Sequence, residues 1–120
     1  MSLDVTLTRT KWVSYEEGKP GEPEQESVYS ANITHNLGVM AKEAGIYKAL
    51  WRPEEIGKTK AKEIIDILEA GLADLKARPE HFKTFNAENG WGTYGDFIVF
   101  VDAYLDACKE NPEATIEADR

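Results

Sequence analysis

Two short segments carry most of the side chains in this 120-residue chain that could take part in chemistry. The first holds Asn32, Thr34, His35 and Asn36; the second holds Asn89, Trp91, Thr93 and Tyr94, with Arg52 between them in the chain. Each segment stands where a helix is expected to begin, and the first turn of a helix leaves backbone N–H groups without intrahelical partners, which favours an anionic or strongly accepting ligand. Trp91 and Tyr94 offer flat faces to stack a ring, asparagine amides can read its edge, and Arg52 carries the donor fork that suits a phosphate or carboxylate. Asn32, Thr34, His35, Asn36, Arg52, Asn89, Trp91 and Tyr94 therefore form a candidate site for a small polar ligand, nucleotide-like or anionic. The condition is that the fold brings the two helix starts together.

Each of these residues also has a structural use. Asparagine and threonine at a helix start are common caps, so Asn32 and Asn36 read first as capping or turn-bonding residues. His35 reads first as a hydrogen-bonded or exposed histidine and next as a ligand contact, with acid or base work as a further use of that residue type. Trp91 and Tyr94 divide evenly between core and ligand wall, and Arg52 stands in the same position. Neither histidine, His35 or His81, has companions at metal-ligand spacing, so no metal and no cofactor are expected. The chain has no G-x-x-x-x-G-K-[ST], G-x-S-x-G, H-E-x-x-H or paired C-x-x-C signature, and no catalytic residue is assigned. Cys108 falls on an apolar helix stripe, where a thiol is inert, and Glu54 and Glu55 are explained by the positive end of a helix dipole.

Composition limits the classes these residues can serve. A length of 120 residues suits one domain, 1–120, and 42% hydrophobic with 30% charged residues is ordinary for a soluble globular chain. Fourteen Lys and Arg against 22 Asp and Glu leave a net charge of −8, which repels a phosphate backbone; no nucleic-acid partner is expected, and a basic partner surface is compatible with that charge. No stretch approaches the roughly 20 apolar residues of a membrane span. With one cysteine, and with a first segment that lacks the basic and apolar parts of a signal peptide, a cytoplasmic setting is expected.

The elements that must position the candidate residues follow from periodicity. Leu3, Val5 and Leu7 alternate with polar residues as in a strand, which residues 11–15 can extend; residues 27–33 read as the antiparallel return. Residues 16–27 hold five glutamates, two prolines and no apolar side chain, and are expected to form a flexible acidic loop. Thr34 can cap a helix over 35–44 that ends at Gly45; residues 46–51 make a short apolar turn closed by Pro53, and residues 53–55 can start another turn. Residues 59–77 carry the clearest helical stripe, interrupted only by Gly71. A further turn over 79–86, a loop over 86–92, a long apolar helix opened by a Thr93–Asp96 capping box, and a third strand within 114–119 complete the chain. The expected architecture is α+β: a single small domain of two to three antiparallel strands packed on three to four helices.

At Asn32-Ile33-Thr34-His35-Asn36-Leu37-Gly38 through Tyr47, at Trp51-Arg52-Pro53-Glu54-Glu55, and at Phe85-Asn86 through Asn89-Gly90-Trp91-Gly92, the sequence resembles a family of small proteins encoded in tailed phages and prophages. The resemblance runs over most of the chain outside the acidic loop. That family is uncharacterised, so the resemblance implies a phage-related accessory protein inside the host cell and transfers no catalytic residue. The expected function is non-enzymatic binding of a small polar ligand or of a host protein. The alternatives are a hydrolase or transferase with His35 as base, and an acidic inhibitor of a host protein.

Overall fold

The computed structural model describes residues 2–13, 18 and 21–120, and for Trp12 and Val13 the backbone alone. Strands β1 (Ser2–Val13), β2 (Glu22–Thr34) and β3 (Thr115–Asp119) form one antiparallel sheet in the order β2-β1-β3. The period-two pattern sets its faces. Leu3, Val5 and Leu7 are fully buried, with Ile33, Ala31 and Tyr29 opposite them on β2 and Ala118 and Ile116 opposite Val5 and Leu7 on β3. Helices α1 (Gly38–Glu43), α2 (Tyr47–Trp51), α3 (Ile65–Ala77), α4 (Pro79–Lys83) and α5 (Tyr94–Glu110) contribute the rest of a single core, in which Met40, Leu50, Leu68, Leu75, Phe82, Phe97, Val101 and Tyr104 are fully buried. The domain is α+β, as the alternation of patterns predicts, with one more helix than expected. Among the described residues no helix is long and apolar enough to cross a membrane.

The acidic segment departs from expectation. β2 begins at Glu22, so residues 22–27, expected in the flexible loop, pair with residues 8–13. Opposite charges face each other there: Arg9 stands across from Glu26 and Lys11 across from Glu24, and Arg9 Nε lies 2.8 Å from Glu26 Oε2. That contact holds the Glu26 carboxyl below its usual range. Gln25 Nε2 adds a 3.1 Å bond to Thr10 Oγ1. Ladder bonds and cross-strand pairs hold this ribbon, a route the absence of hydrophobic residues in 22–27 had hidden. Of the remaining loop positions, 16, 17, 19 and 20, like 14 and 15, lie outside the described residues. Between Leu7 and Thr8 the register shifts, leaving Val28 as an extra residue on β2. Beyond this bulge the hairpin outruns β3 by five residue pairs, about 17 Å, which contributes to overall dimensions of 60 × 27 × 23 Å.

The long helix starts later than its stripe suggests. Residues 59–61 are drawn to the outer edge of β3, with Ile116 N–H donating to Thr59 O at 2.9 Å and Ala61 N–H to Ala114 O at 2.9 Å. Glu63 Oε1 takes the amides of Thr59 and Lys60 at 3.0 and 2.9 Å, which lowers its pKa, and a 3-10 turn over Ala61–Glu63 precedes α3. The expected helix over 35–44 is likewise divided, a 3-10 turn at His35–Leu37 leading into α1, and Gly45 at φ +76° ends it.

Gly71 has a specific cause. A Cβ built on it would fall 2.2 Å from Ile46 Cγ2 and 3.3 Å from Ala44 O, so the segment after α1 crosses α3 at contact distance. Gly71→Ala is expected to lose stability by about 1–3 kcal/mol through overpacking, although alanine in a free helix gains about 1 kcal/mol over glycine. Urea unfolding measures it, and a variant as stable as the parent would show that Ile46 yields without cost.

Candidate functional site

The helical layer leaves part of β2 uncovered. Between the Tyr29–Thr34 half of that strand, the 89–92 loop and the first half of α5 lies an open groove of about 1250 Å3. Its apolar lining comes from Tyr29, Ala31, Ile33, Val99, Phe100 and Ala103. Its polar lining comes from Asn32, Thr34, His35, Asn36, Asn89 and Asp96.

The two helix starts meet here, through two contacts. Asn36 Nδ2 donates to Trp91 O at 2.9 Å, a bond across 55 residues of sequence. Gly92, at φ +110°, sits so close to the first turn that a Cβ would meet Thr34 Cγ2 at 3.0 Å and Leu37 Cγ at 3.1 Å. Only glycine satisfies both the backbone angle and the space. Local caps complete the frame: Thr34 Oγ1 accepts from Asn36 N–H, Asn89 Oδ1 from Trp91 N–H, Asn86 Oδ1 from Tyr94 N–H and Thr93 Oγ1 from Asp96 N–H.

Six of the eight candidate residues, Asn32, Thr34, His35, Asn36, Asn89 and Trp91, line the groove. Asn32 also bonds across the sheet, its Nδ2 lying 2.8 Å from Ser2 Oγ and 2.7 Å from Asp4 Oδ1. Trp91 is 71% exposed, so it is neither core nor plug. Two candidates lie elsewhere. Arg52, at the end of α2, pairs with Glu55 at 3.1 Å and bonds Tyr47, which raises its pKa and spends its fork on its own neighbourhood. Tyr94 turns its hydroxyl to Leu75 O at 2.7 Å, tying α5 to α3. Neither lines the groove, and each has a donor engaged within the fold.

His35 is held by the core. Trp51 Nε1 donates to its Nδ1 at 2.8 Å, and the backbone carbonyl of Trp51 accepts from Arg120 Nη1 at 2.8 Å. An accepting Nδ1 places the ring hydrogen of the neutral imidazole on Nε2, so His35 offers the groove a donor while its lone pair is already engaged. Among the described residues no Lys or Arg lines the groove and the Asp96 carboxylate forms no ion pair. Among the described residues no three His, Cys, Asp or Glu side chains converge as metal ligands would.

Tyr29 continues into the core, its ring stacked on Tyr104 with centroids 6.0 Å apart and planes 11° from parallel. The Tyr104 hydroxyl is buried with no hydrogen-bond partner among the described residues, and burial raises its pKa. Burial also pushes the Cys108 thiol up to about 12, which keeps it protonated and unreactive. Tyr29, Asp96, Phe100 and Ala103 were not singled out in the sequence as site residues. Val99, 69% exposed, gives this helix an apolar side chain outside its buried face.

Tyr104→Phe is expected to raise stability by about 1 kcal/mol, because it removes a desolvated hydroxyl that gains nothing in return. Thermal unfolding of the two proteins decides it, and a less stable variant would mean that the hydroxyl has a partner. Nitrogen-15 NMR of His35 should show the Nε2–H tautomer in the parent, with mixing of tautomers in Trp51→Phe. A predominant Nδ1–H form in the parent would contradict the Trp51 bond. No family model, curated protein or solved structure matches the chain, so its function has to be read from the groove itself.

Proposed function

We propose that this protein is a non-enzymatic binding module that presents the β2–α5 groove to another molecule, and that the ligand is another protein in preference to a small polar compound. The observation that carries this reading is the pair of large apolar side chains, Trp91 and Val99, left 71% and 69% exposed beside a polar lining. Exposed aromatic anchors in a polar surround are typical of surfaces that become buried on association. The groove's volume exceeds the roughly 300–1,000 Å3 usual for a small-molecule pocket, and it is open rather than enclosing. An anionic or nucleotide-like ligand has less support, because Arg52 lies outside and no lysine or arginine lines the groove.

The resemblance to phage and prophage proteins supplies the setting of the proposal: an accessory protein acting on a host protein inside the host cell. A net charge of −8 suits a basic partner, and such binding would weaken with salt. A hydrolase or transferase using His35 as base has less support, since the lone pair a base needs accepts the Trp51 N–H.

Native mass spectrometry of gently purified protein, with and without host extract, tests the reading. The expected result is a discrete added mass, protein-sized or smaller, that is retained by the parent and lost in Trp91→Ala and Val99→Ser. Both variants should melt as the parent does, because these side chains are exposed. Equal retention of the added mass by both variants would refute the groove as the binding surface.

A further inference from the structure

We infer that the occupant of the groove is an extended, basic segment of another protein, added as a fourth strand along the outer edge of β2 at Tyr29–Thr34. This rests on the groove being the binding surface, and it goes further in naming the partner's conformation and charge.

The two edges of the sheet are treated differently. The outer edge of β3 is closed by residues 59–61, through the Ile116 to Thr59 and Ala61 to Ala114 backbone bonds and the Lys60–Thr115 bridge. The outer edge of β2 has no neighbouring strand, and among the described residues no backbone hydrogen bond leaves β2 except towards β1. Every second residue of such an edge turns its N–H and C=O away from the sheet, ready to pair with another chain. Proteins guard these edges with charges, prolines and bulges, and β2 does so over half its length: Glu22, Pro23, Glu24 and Glu26, then the bulge at Val28. From Tyr29 to Thr34 the sequence Tyr-Ser-Ala-Asn-Ile-Thr has no charge, proline or glycine. This unguarded half is the part of β2 that borders the groove.

Six residues of strand span about 20 Å, enough for the backbone pairing used in strand addition. Alternate side chains of an added strand would face the groove, where Tyr29, Val99 and Phe100 offer apolar contact and Trp91 a flat exposed ring. Charge selects the partner. Among the described residues Asp96 is the one carboxylate in the lining and no Lys or Arg accompanies it, and the whole chain carries −8. A basic segment is attracted at long range and finds a counter-charge on arrival, whereas a second copy of this chain would bring −8 of its own.

Panning a display library of random dodecapeptides against the full chain tests the inference. The enriched peptides should be net positive, with apolar residues at alternate positions. A synthetic representative should lose at least about tenfold in affinity when its alternate backbone amides on one edge are N-methylated, a step that leaves the protein untouched. On binding, alternate amides within Tyr29–Thr34 should exchange more slowly with solvent, and Asp96→Asn should weaken binding and flatten its salt dependence. Binding that Trp91→Ala abolishes without protecting any β2 amide would overturn strand addition while leaving the groove reading intact. Binding indifferent to Trp91→Ala and Val99→Ser would overturn both. Acidic enriched peptides, no enrichment at all, or a dimer sealed through β2 would each overturn the inference, and the native mass measurement would then decide the groove reading separately.

Discussion

The architecture depends on the burial of one face of β1. Leu3, Val5 and Leu7 lie on the central strand, Val5 and Leu7 flanked on both sides, and none of the three retains any contact with solvent. Each such side chain contributes on the order of 2 kcal/mol when fully buried, which is large against the net stability of a domain this size. One layer of helices must therefore close over that face. Helix α5, with Phe97, Val101, Tyr104 and Leu105 turned inward, and α3, with Leu68 and Leu75, supply most of it. Helix α5 packs over β2, where Tyr29 stacks on Tyr104, yet Tyr29 and Ala31 stay only partly buried, and the groove lies along that flank.

Three close contacts keep that layer in register. The Ile46 methyl against Gly71 sets how near the α1–α2 connection approaches α3. The Tyr94 hydroxyl bonds α5 to the backbone of α3. The Arg120 guanidinium, held by Glu54 and the Trp51 carbonyl, fastens the segment after β3 to α2, and Trp51 in turn orients His35. His35 at the groove is thus positioned by bonds that originate in the core and beyond it. The 89–92 loop has weaker anchorage, through Asn36 and the tight passage of Gly92, so the exposed Trp91 rests on a short and locally determined support.

The hairpin shows a different balance. Near the core β1 and β2 are held by apolar burial, and beyond the Val28 bulge by ladder bonds and cross-strand pairs such as Arg9–Glu26. Exposed pairs of this kind contribute little individually. They also place charge along the outer half of β2, whereas Tyr29–Thr34 carries none.

Much of this was legible from local pattern. The period-two run at Leu3–Leu7, the stripe of α3, the Thr34 and Thr93 caps, Gly45 as a helix terminator and the strand at 115–119 all depend on residues within a turn or two of one another, where sterics and local hydrogen bonding decide the outcome. Gly71 was legible as an interruption of a helical stripe, and the neighbour that explains it is Ile46, 25 positions away. Glu22–Ser27 was misread because composition reports what a segment can bury, whereas those residues pair through backbone and charge with a strand whose register is set elsewhere. The sequence alone determined an α+β domain with polar and aromatic residues gathered at two helix starts. Tertiary structure alone decided that Asn36 would reach Trp91, that Arg52 and Tyr94 would be drawn into other contacts, and that Tyr29, Val99 and Phe100 would join the site. Local sterics act along the chain, but a groove exists only where distant segments stop short of covering one another.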